Sequence, residues 1–363
     1  CGTAIHSLYA LGIKPDIHIE LESHMVTYKA LKELNDDEWI ASIPVIGPAQ
    51  IPPRVFNLFD KRAIYFKGES VTSFLFGEPD NSVDRGTPTC TNAGVALFAH
   101  WGFRKIFLFG MDFGYRDLKH HHAKGSVYND TKDEDLIEGN MVERDAKLDV
   151  EAVDGTMIKT KPILYTAKRT VETIARVYSK SSTFYNCSDG AKIDDTTWIQ
   201  AKDPLPIEGE IAPKIAFIEL QFDTNETCID QSIVDERLKV LNHNMIELAT
   251  HIIGELKKID GTMISLTKVI SSCSLFMENH IRPAIPAFYY YMRGTIWHLL
   301  YIGYSHALAQ DDLELRKKWI EKWIEDTTEI LEIIPKHFER IVFKEFDLEA
   351  DPWTWRSTTD PED

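Results

Sequence analysis

The chain has 363 residues, more than one domain of about 150 residues accounts for, so two cores are expected. With 44% hydrophobic and 11% aromatic residues, and no apolar run near the roughly 20 residues that cross a bilayer, it reads as a soluble globular enzyme. A formal charge of −17 repels nucleic acid and anionic membranes at long range, so neither is expected as a partner and any anionic ligand must be held by local groups.

In chain order, short apolar runs alternate with amphipathic stretches. Ala4 to Leu11 reads as a helix, Asp16 to Leu21 as a strand, Met25 to Leu34 as a helix and Ile43 to Ile46 as a strand. The rhythm continues with strand Ala63 to Phe66, a helix from about Asn92 to Ala99, strand Lys105 to Phe109, a helix from about Leu164 to Tyr178 and strand Thr183 to Asn186. Such alternation predicts an α/β fold with a doubly wound, Rossmann-like, mainly parallel sheet that binds ligands at the carboxyl ends of its strands. Prolines 204, 206 and 213 mark a linker over 206–228, after a first domain of 1–205. Beyond it, 232–258, 262–280, 284–309 and 312–334 carry apolar residues at helical spacing, as in Leu238, Leu241, Met245, Leu248 and Ile252, and predict an all-α bundle over 229–363.

Five scattered cysteines, Cys1, Cys90, Cys187, Cys228 and Cys273, have no C-x-x-C spacing, which argues against a disulfide framework or zinc ribbon and for a reducing cytoplasm. The chain opens on Cys1-Gly2-Thr3-Ala4 with no signal-peptide series, as if begun within a domain. Acid concentrates in Asp130 to Glu138 and Glu345 to Asp363, and the stretch around Lys119 to Lys124 is basic and rich in histidine.

Five constellations carry candidate chemistry. In Gly86 to Asn92, free N–H groups at a helix start and the hydroxyls of Thr89 and Thr91 can cradle a phosphate; the alternative is that one threonine is simply an N-cap. Phe107 to Phe113 is a strand ending in Gly110 and Asp112, whose carboxylate would point into the ligand crevice or else close a turn. Tyr115 to Tyr128 concentrates Arg116, Lys119, Lys124 and three histidines, which could neutralise a leaving phosphate and supply a base; the alternative is a solvated loop. The consecutive His120, His121 and His122 share no helix face and match no common zinc spacing, so no metal is assigned to them. Lys159 and Thr160 could meet an anion, with a surface lysine and a capping threonine as the plainer reading. Asn186 to Ile193 reads as a ribose- or base-reading loop or an ordinary turn. The aromatic run Phe288 to Met292, with Trp297, His298 and Tyr301 to Tyr304, reads as bundle core.

Taken together, Cys1-Gly-Thr-Ala-x-His-Ser-Leu, Gly12-Ile-Lys-Pro-Asp16, Glu20-Leu-Glu22, Thr89-Cys-Thr-Asn92, Gly110-Met-Asp-Phe113, His122-Ala-x-Gly-Ser-x-Tyr128 and Asn186-Cys-Ser-Asp-Gly-Ala191 resemble the motility accessory factor (Maf) proteins, bacterial flagellin glycosyltransferases. The resemblance covers residues 1 to about 195, and the helical remainder resembles that family's C-terminal domain more weakly. It implies a sialyltransferase-like catalytic domain, a CMP-activated nonulosonic acid of pseudaminic or legionaminic type as donor, and a flagellin Ser or Thr as acceptor. By the same resemblance Gly2, Thr3 and Glu22 line the nucleotide pocket, and Thr89, Cys90 and Thr91 approach the phosphate beside Gly110. Tyr115 and Tyr128 assist its departure, and Ser188, Gly190 and Ala191 lie near the cytosine. The Gly-Pro-Ser-Leu-type loop that precedes this point in the family is not in this sequence, which is therefore expected to be N-terminally incomplete. The sialyltransferases' histidine has no match near Thr156 to Thr160, leaving Asp112 or His122 as the base. An Mg2+ requirement stays open. A pterin diphosphokinase-like enzyme using ATP and magnesium, and a non-catalytic flagellin-binding module, are the alternatives.

Overall fold

In the computed structural model, residues 2–68, 70–76, 81–119, 122–123, 125–132, 146–200, 202–207, 212–220, 222, 230–284 and 286–343 are described. His120, His121, Lys124, Cys1, Cys228, most of the acidic run after Asp130 and the Glu345 to Asp363 tail lie outside them. The chain divides into two compact units, Cys1–Gly68 with Pro79–Thr227, and Glu69–Glu78 with Cys228–Asp363.

The first unit is built on parallel strands. Strands β1 (His18–Ile19), β2 (Val45–Pro48), β3 (Arg62–Lys67) and β4 (Ser82–Val83) form one sheet in that order, all parallel. Strand β5 (Lys105–Leu108) comes next in the chain, followed by the antiparallel hairpin β6 (Leu148–Glu151) and β7 (Met157–Thr160). A second parallel sheet joins β5 to β8 (Thr183–Asn186) and β9 (Thr197–Trp198), in the order β5-β8-β9. The expected doubly wound sheet is therefore seen as two parallel blocks over one core, since Ile19, Tyr65, Leu108 and Phe184 belong to the same buried cluster. The helix Cys90–His100 packs on β1, β4 and β5 and so bridges the blocks.

The hairpin was not expected from sequence, and it corrects the reading of Lys159 and Thr160. Lys159 pairs with Asp149 at 2.8 Å across the hairpin. Thr160 is fully buried and donates to the Phe113 carbonyl at 2.7 Å, so it does not cap the helix Pro162–Val177 that follows. That helix starts on Pro162, whose missing N–H is no loss in a first turn. It buries Ala167, Val171, Ile174 and Ala175 at helical spacing and, among them, Lys168 and Glu172.

The second unit is helical: Gln231–Leu256, Met263–Phe276, a π-helical turn Met277–Ile281, Arg282–Ala284, Pro286–Ala309 and Leu313–Phe343. Leu241, Met245, Leu248, Ile252 and Leu256 line one face of the first helix and share a core with Phe288, Tyr289, Met292, Ile320 and Trp323. Gly303 lets the Trp323 ring sit against the Pro286–Ala309 helix; a methyl group there would lie 2.1 Å from Cε2.

Two boundaries differ from a division at 205 and 229. The helix Val71–Phe76 lies in the helical unit, where Phe74 and Leu75 pack on its core and Arg237 donates to the Leu75 carbonyl at 3.1 Å. Within the expected linker, Ala212–Leu220 is a helix of the first unit, and Phe217 packs edge-on against Trp101 and Phe103. Both segments are placed by apolar side chains whose partners are remote in sequence. No helix among the described residues is long and apolar enough to cross a membrane.

Candidate active site

Two loops that leave parallel strands are welded together at one corner of the first unit. After β5, Phe109 is exposed, Gly110 turns the chain at φ +66°, and the Met111 N–H donates to Ser188 Oγ at 2.9 Å. After β8, the Ala191 N–H donates to the Asp112 carbonyl at 2.7 Å, and the Ser188 N–H donates to Asn186 Oδ1 at 3.0 Å. Trp198 Nε1 donates to the Ser188 carbonyl at 3.1 Å. Gly190 lies so close to this seam that a methyl group on it would be 2.4 Å from Asp112 Cα. The Gly190→Ala variant is expected to lose about 1–3 kcal/mol, because backbone rather than a movable side chain would have to give way. A urea midpoint no different from that of the parent protein would contradict this.

The weld shows what Ser188, Gly190 and Ala191 do in the fold: they fix where Asp112 stands. The structure also corrects the part expected of Arg116. Its Nε donates to the Asp189 carbonyl at 2.8 Å and its Nη1 pairs with Asp154 at 3.0 Å, so this guanidinium holds three loops together.

Thr89 is the N-cap of the Cys90–His100 helix. It forms a capping box, its Oγ1 accepting from the Asn92 N–H at 3.4 Å while Asn92 Oδ1 accepts from the Thr89 N–H at 3.3 Å. The fully buried Asn92 also donates to the Ala167 carbonyl at 2.9 Å, tying the helix to its neighbour. Thr91, with Oγ1 2.7 Å from Thr89 Oγ1, is left to face the cleft.

Beneath that helix start lies a buried polar knot. Gly2 has φ +51°, its N–H donates to the Ile19 carbonyl at 2.9 Å, and a methyl group on it would lie 3.1 Å from Cys90 Sγ. Cys90 in turn donates to Glu20 Oε1 at 3.1 Å. Glu20 also accepts from the Leu21 N–H at 2.9 Å and contacts His18 Nε2 at 3.3 Å. Burial opposes charge on Glu20, but His18, the Leu21 N–H and Cys90 outweigh it and hold the carboxyl at about 2. Glu20, more than Glu22, is the centre of this corner. Its sequence signal is alternation, because Ile19 and Leu21 enter the core while His18 and Glu20 take the opposite face.

Above the knot opens a cleft of about 770 Å³. Thr3, Thr91, Gly110, Asp112 and His122 line it, residues that are far apart in the chain. Leu8, Leu11, Phe98 and Phe107 form its apolar side. Tyr128 contacts two of its lining residues: its ring stacks on His122 with centroids 4.7 Å apart, and its hydroxyl is hydrogen-bonded to Thr3. Burial raises the Tyr128 pKa, and Thr3 partly offsets that. The Asp112 side chain is solvent-exposed at the cleft, yet the surrounding wall desolvates it in part and, with the neighbouring Asp189, raises its pKa against hydrogen bonding from Ser188 and the charge of Arg116. A carboxylate lifted in this way is a better base than a free one. Tyr115 is placed away from the cleft lining, its N–H donating to the Lys159 carbonyl at 2.7 Å where it joins β7.

A parallel α/β unit with its cleft at the carboxyl end of β5, between two strand blocks, belongs to the fold class that holds nucleotides and related phosphate compounds at such crevices. The comparisons with known proteins agree with that class. A family model described as 6-hydroxymethylpterin diphosphokinase MptE-like matches residues 1–118, about a third of the chain. A solved structure of the MAf glycosyltransferase from Magnetospirillum magneticum AMB-1 is similar with a TM-score of 0.69 and 19% sequence identity, over 99% of this chain and 53% of that one. The chain thus spans about half the length of that protein, and at this identity the shared property is the fold of both units. No curated protein matches the sequence.

Proposed function

We propose that the chain is the donor-binding and helical part of a glycosyltransferase that moves a CMP-activated nonulosonic acid, of pseudaminic or legionaminic type, to a Ser or Thr hydroxyl of flagellin. The observation that carries this reading is the convergence of Thr3, Thr91, Asp112 and His122 on one cleft, with Tyr128 against His122, in a chain whose sheet and helical units both resemble the solved glycosyltransferase. In an inverting displacement, the bond from the anomeric carbon to the CMP phosphate oxygen breaks and its electron pair leaves with CMP. The acceptor oxygen bonds the same carbon from the opposite face, and its proton passes to Asp112 or His122. Hydroxyls of Thr3, Thr91 and Tyr128 and the helix start at Cys90 are the donors for the phosphate charge that develops.

The match of residues 1–118 to the pterin diphosphokinase model supports a second reading, an ATP-dependent diphosphate transfer. Asp112 and Asp189 are two neighbouring carboxylates of the hard, oxygen type that magnesium prefers. A thermal-shift titration with CMP, UMP and ATP, each with and without Mg2+, separates the two. Ligand at 100 times its dissociation constant adds about 2.7 kcal/mol of stability. A shift selective for CMP supports the glycosyltransferase, and one that needs ATP with Mg2+ transfers the site to the second reading.

A further inference from the structure

Tyr65 and Lys67 stand two positions apart near the end of β3 and therefore on one face of that strand. Tyr65 is 3% exposed, and its buried hydroxyl has no hydrogen-bond partner among the described residues. The loop before the Cys90–His100 helix covers it, since a methyl group on Gly86 would lie 3.8 Å from that hydroxyl. Cys90 and Glu20 are its charged or ionisable neighbours. A buried hydroxyl left without a partner costs about 1–3 kcal/mol, which favours any bound group that can complete it.

Lys67 is half-buried, with Glu22 and Cys90 as its electrostatic neighbours. Strand ends β1 and β3 thus bring a cation, an orphaned hydroxyl and two carboxylates to the first turn of an 11-residue helix. Arg116 is already committed to Asp154 and Asp189, whereas Lys67 stands among the groups at this helix start.

We propose that Tyr65 and Lys67 form an anion-holding wall at the start of the Cys90–His100 helix, beside the cleft rather than on its lining, the Lys67 ammonium facing an oxyanion of the bound nucleotide and the Tyr65 hydroxyl donating to it. The identity of that nucleotide rests on the glycosyltransferase reading; the anion site does not. Neither residue stands out in the sequence, where they occupy an ordinary alternating strand.

The test is isothermal titration of the parent chain and of Lys67→Met, Lys67→Arg and Tyr65→Phe with pyrophosphate, CMP, cytidine and ATP with Mg2+, beside their melting temperatures. Lys67→Met should weaken CMP and pyrophosphate by about tenfold or more and leave cytidine unchanged, with Lys67→Arg retaining most of the affinity. Tyr65→Phe should weaken the same anions by about three- to tenfold, yet melt no lower than the parent because it removes an unsatisfied buried group. If ATP binds in place of CMP and still depends on Lys67, the glycosyltransferase reading fails and the anion wall stands. If CMP binds the parent and Lys67→Met equally well, the wall is refuted and the donor reading stands. An absence of anion binding by the parent chain also refutes the wall.

Discussion

If the cleft transfers a sugar with Asp112 as base, as proposed, Asp112→Asn lowers that transfer by about 10²- to 10⁴-fold, the range lost when a positioned base is removed, with the melting temperature little changed. The fold should survive because the weld at this position uses the Asp112 carbonyl, which the variant keeps, as the acceptor for the Ala191 N–H. The pH dependence gives an independent check. Partial desolvation and Asp189 raise the Asp112 pKa, so the acid limb of the rate lies at higher pH than it would for an unperturbed aspartate. The rate should therefore fall as pH drops through that raised value, and Asp189→Asn should move the acid limb to lower pH. Transfer unaltered in Asp112→Asn would leave His122 as the base.

The largest stability loss is expected at Glu172. This carboxylate is 1% exposed and accepts from Lys168 one turn before it, from Arg169 at 2.8 Å and from the Asp194 N–H at 3.0 Å. It fastens the Pro162–Val177 helix to the loop after β8 that positions Ser188 to Ala191. Glu172→Ala would leave the Lys168 ammonium buried without its counter-charge and the Asp194 N–H without an acceptor, a loss of about 3–5 kcal/mol. Replacing the pair together, Lys168→Met with Glu172→Leu, should recover the part due to the buried ammonium, since two apolar side chains need no counter-charge, while the Asp194 N–H still lacks its acceptor. Equal urea midpoints for Glu172→Ala and the parent would show that the pair contributes nothing.

Much of this molecule follows from local pattern. The alternation around His18, Val45, Ile64 and Phe107, and the helical spacing from Leu241 to Ile252, are period-two and period-3.6 signals carried by neighbouring residues, and the parallel strands and long helices appear where those signals lie. Thr89 read from sequence as either a phosphate cradle or an N-cap, and its hydroxyl is an N-cap, because a capping box needs only residues three apart. The hairpin β6–β7 escaped notice because Asp149 and Lys159, ten positions apart, become neighbours only on pairing.

The sequence by itself determined the kind of elements, the order in which they follow and the polar residues each strand end presents, since those depend on side-chain periodicity and turn chemistry within a few positions. Only the tertiary structure decided which of them meet. Cys90 reaches Glu20 across 70 positions and Met111 reaches Ser188 across 77, while Phe74 and Leu75 leave the sheet unit for the helical core. These are contacts between groups with no shared period: burial of apolar surface chooses the partners, and the buried polar atoms then take the hydrogen bonds left within reach.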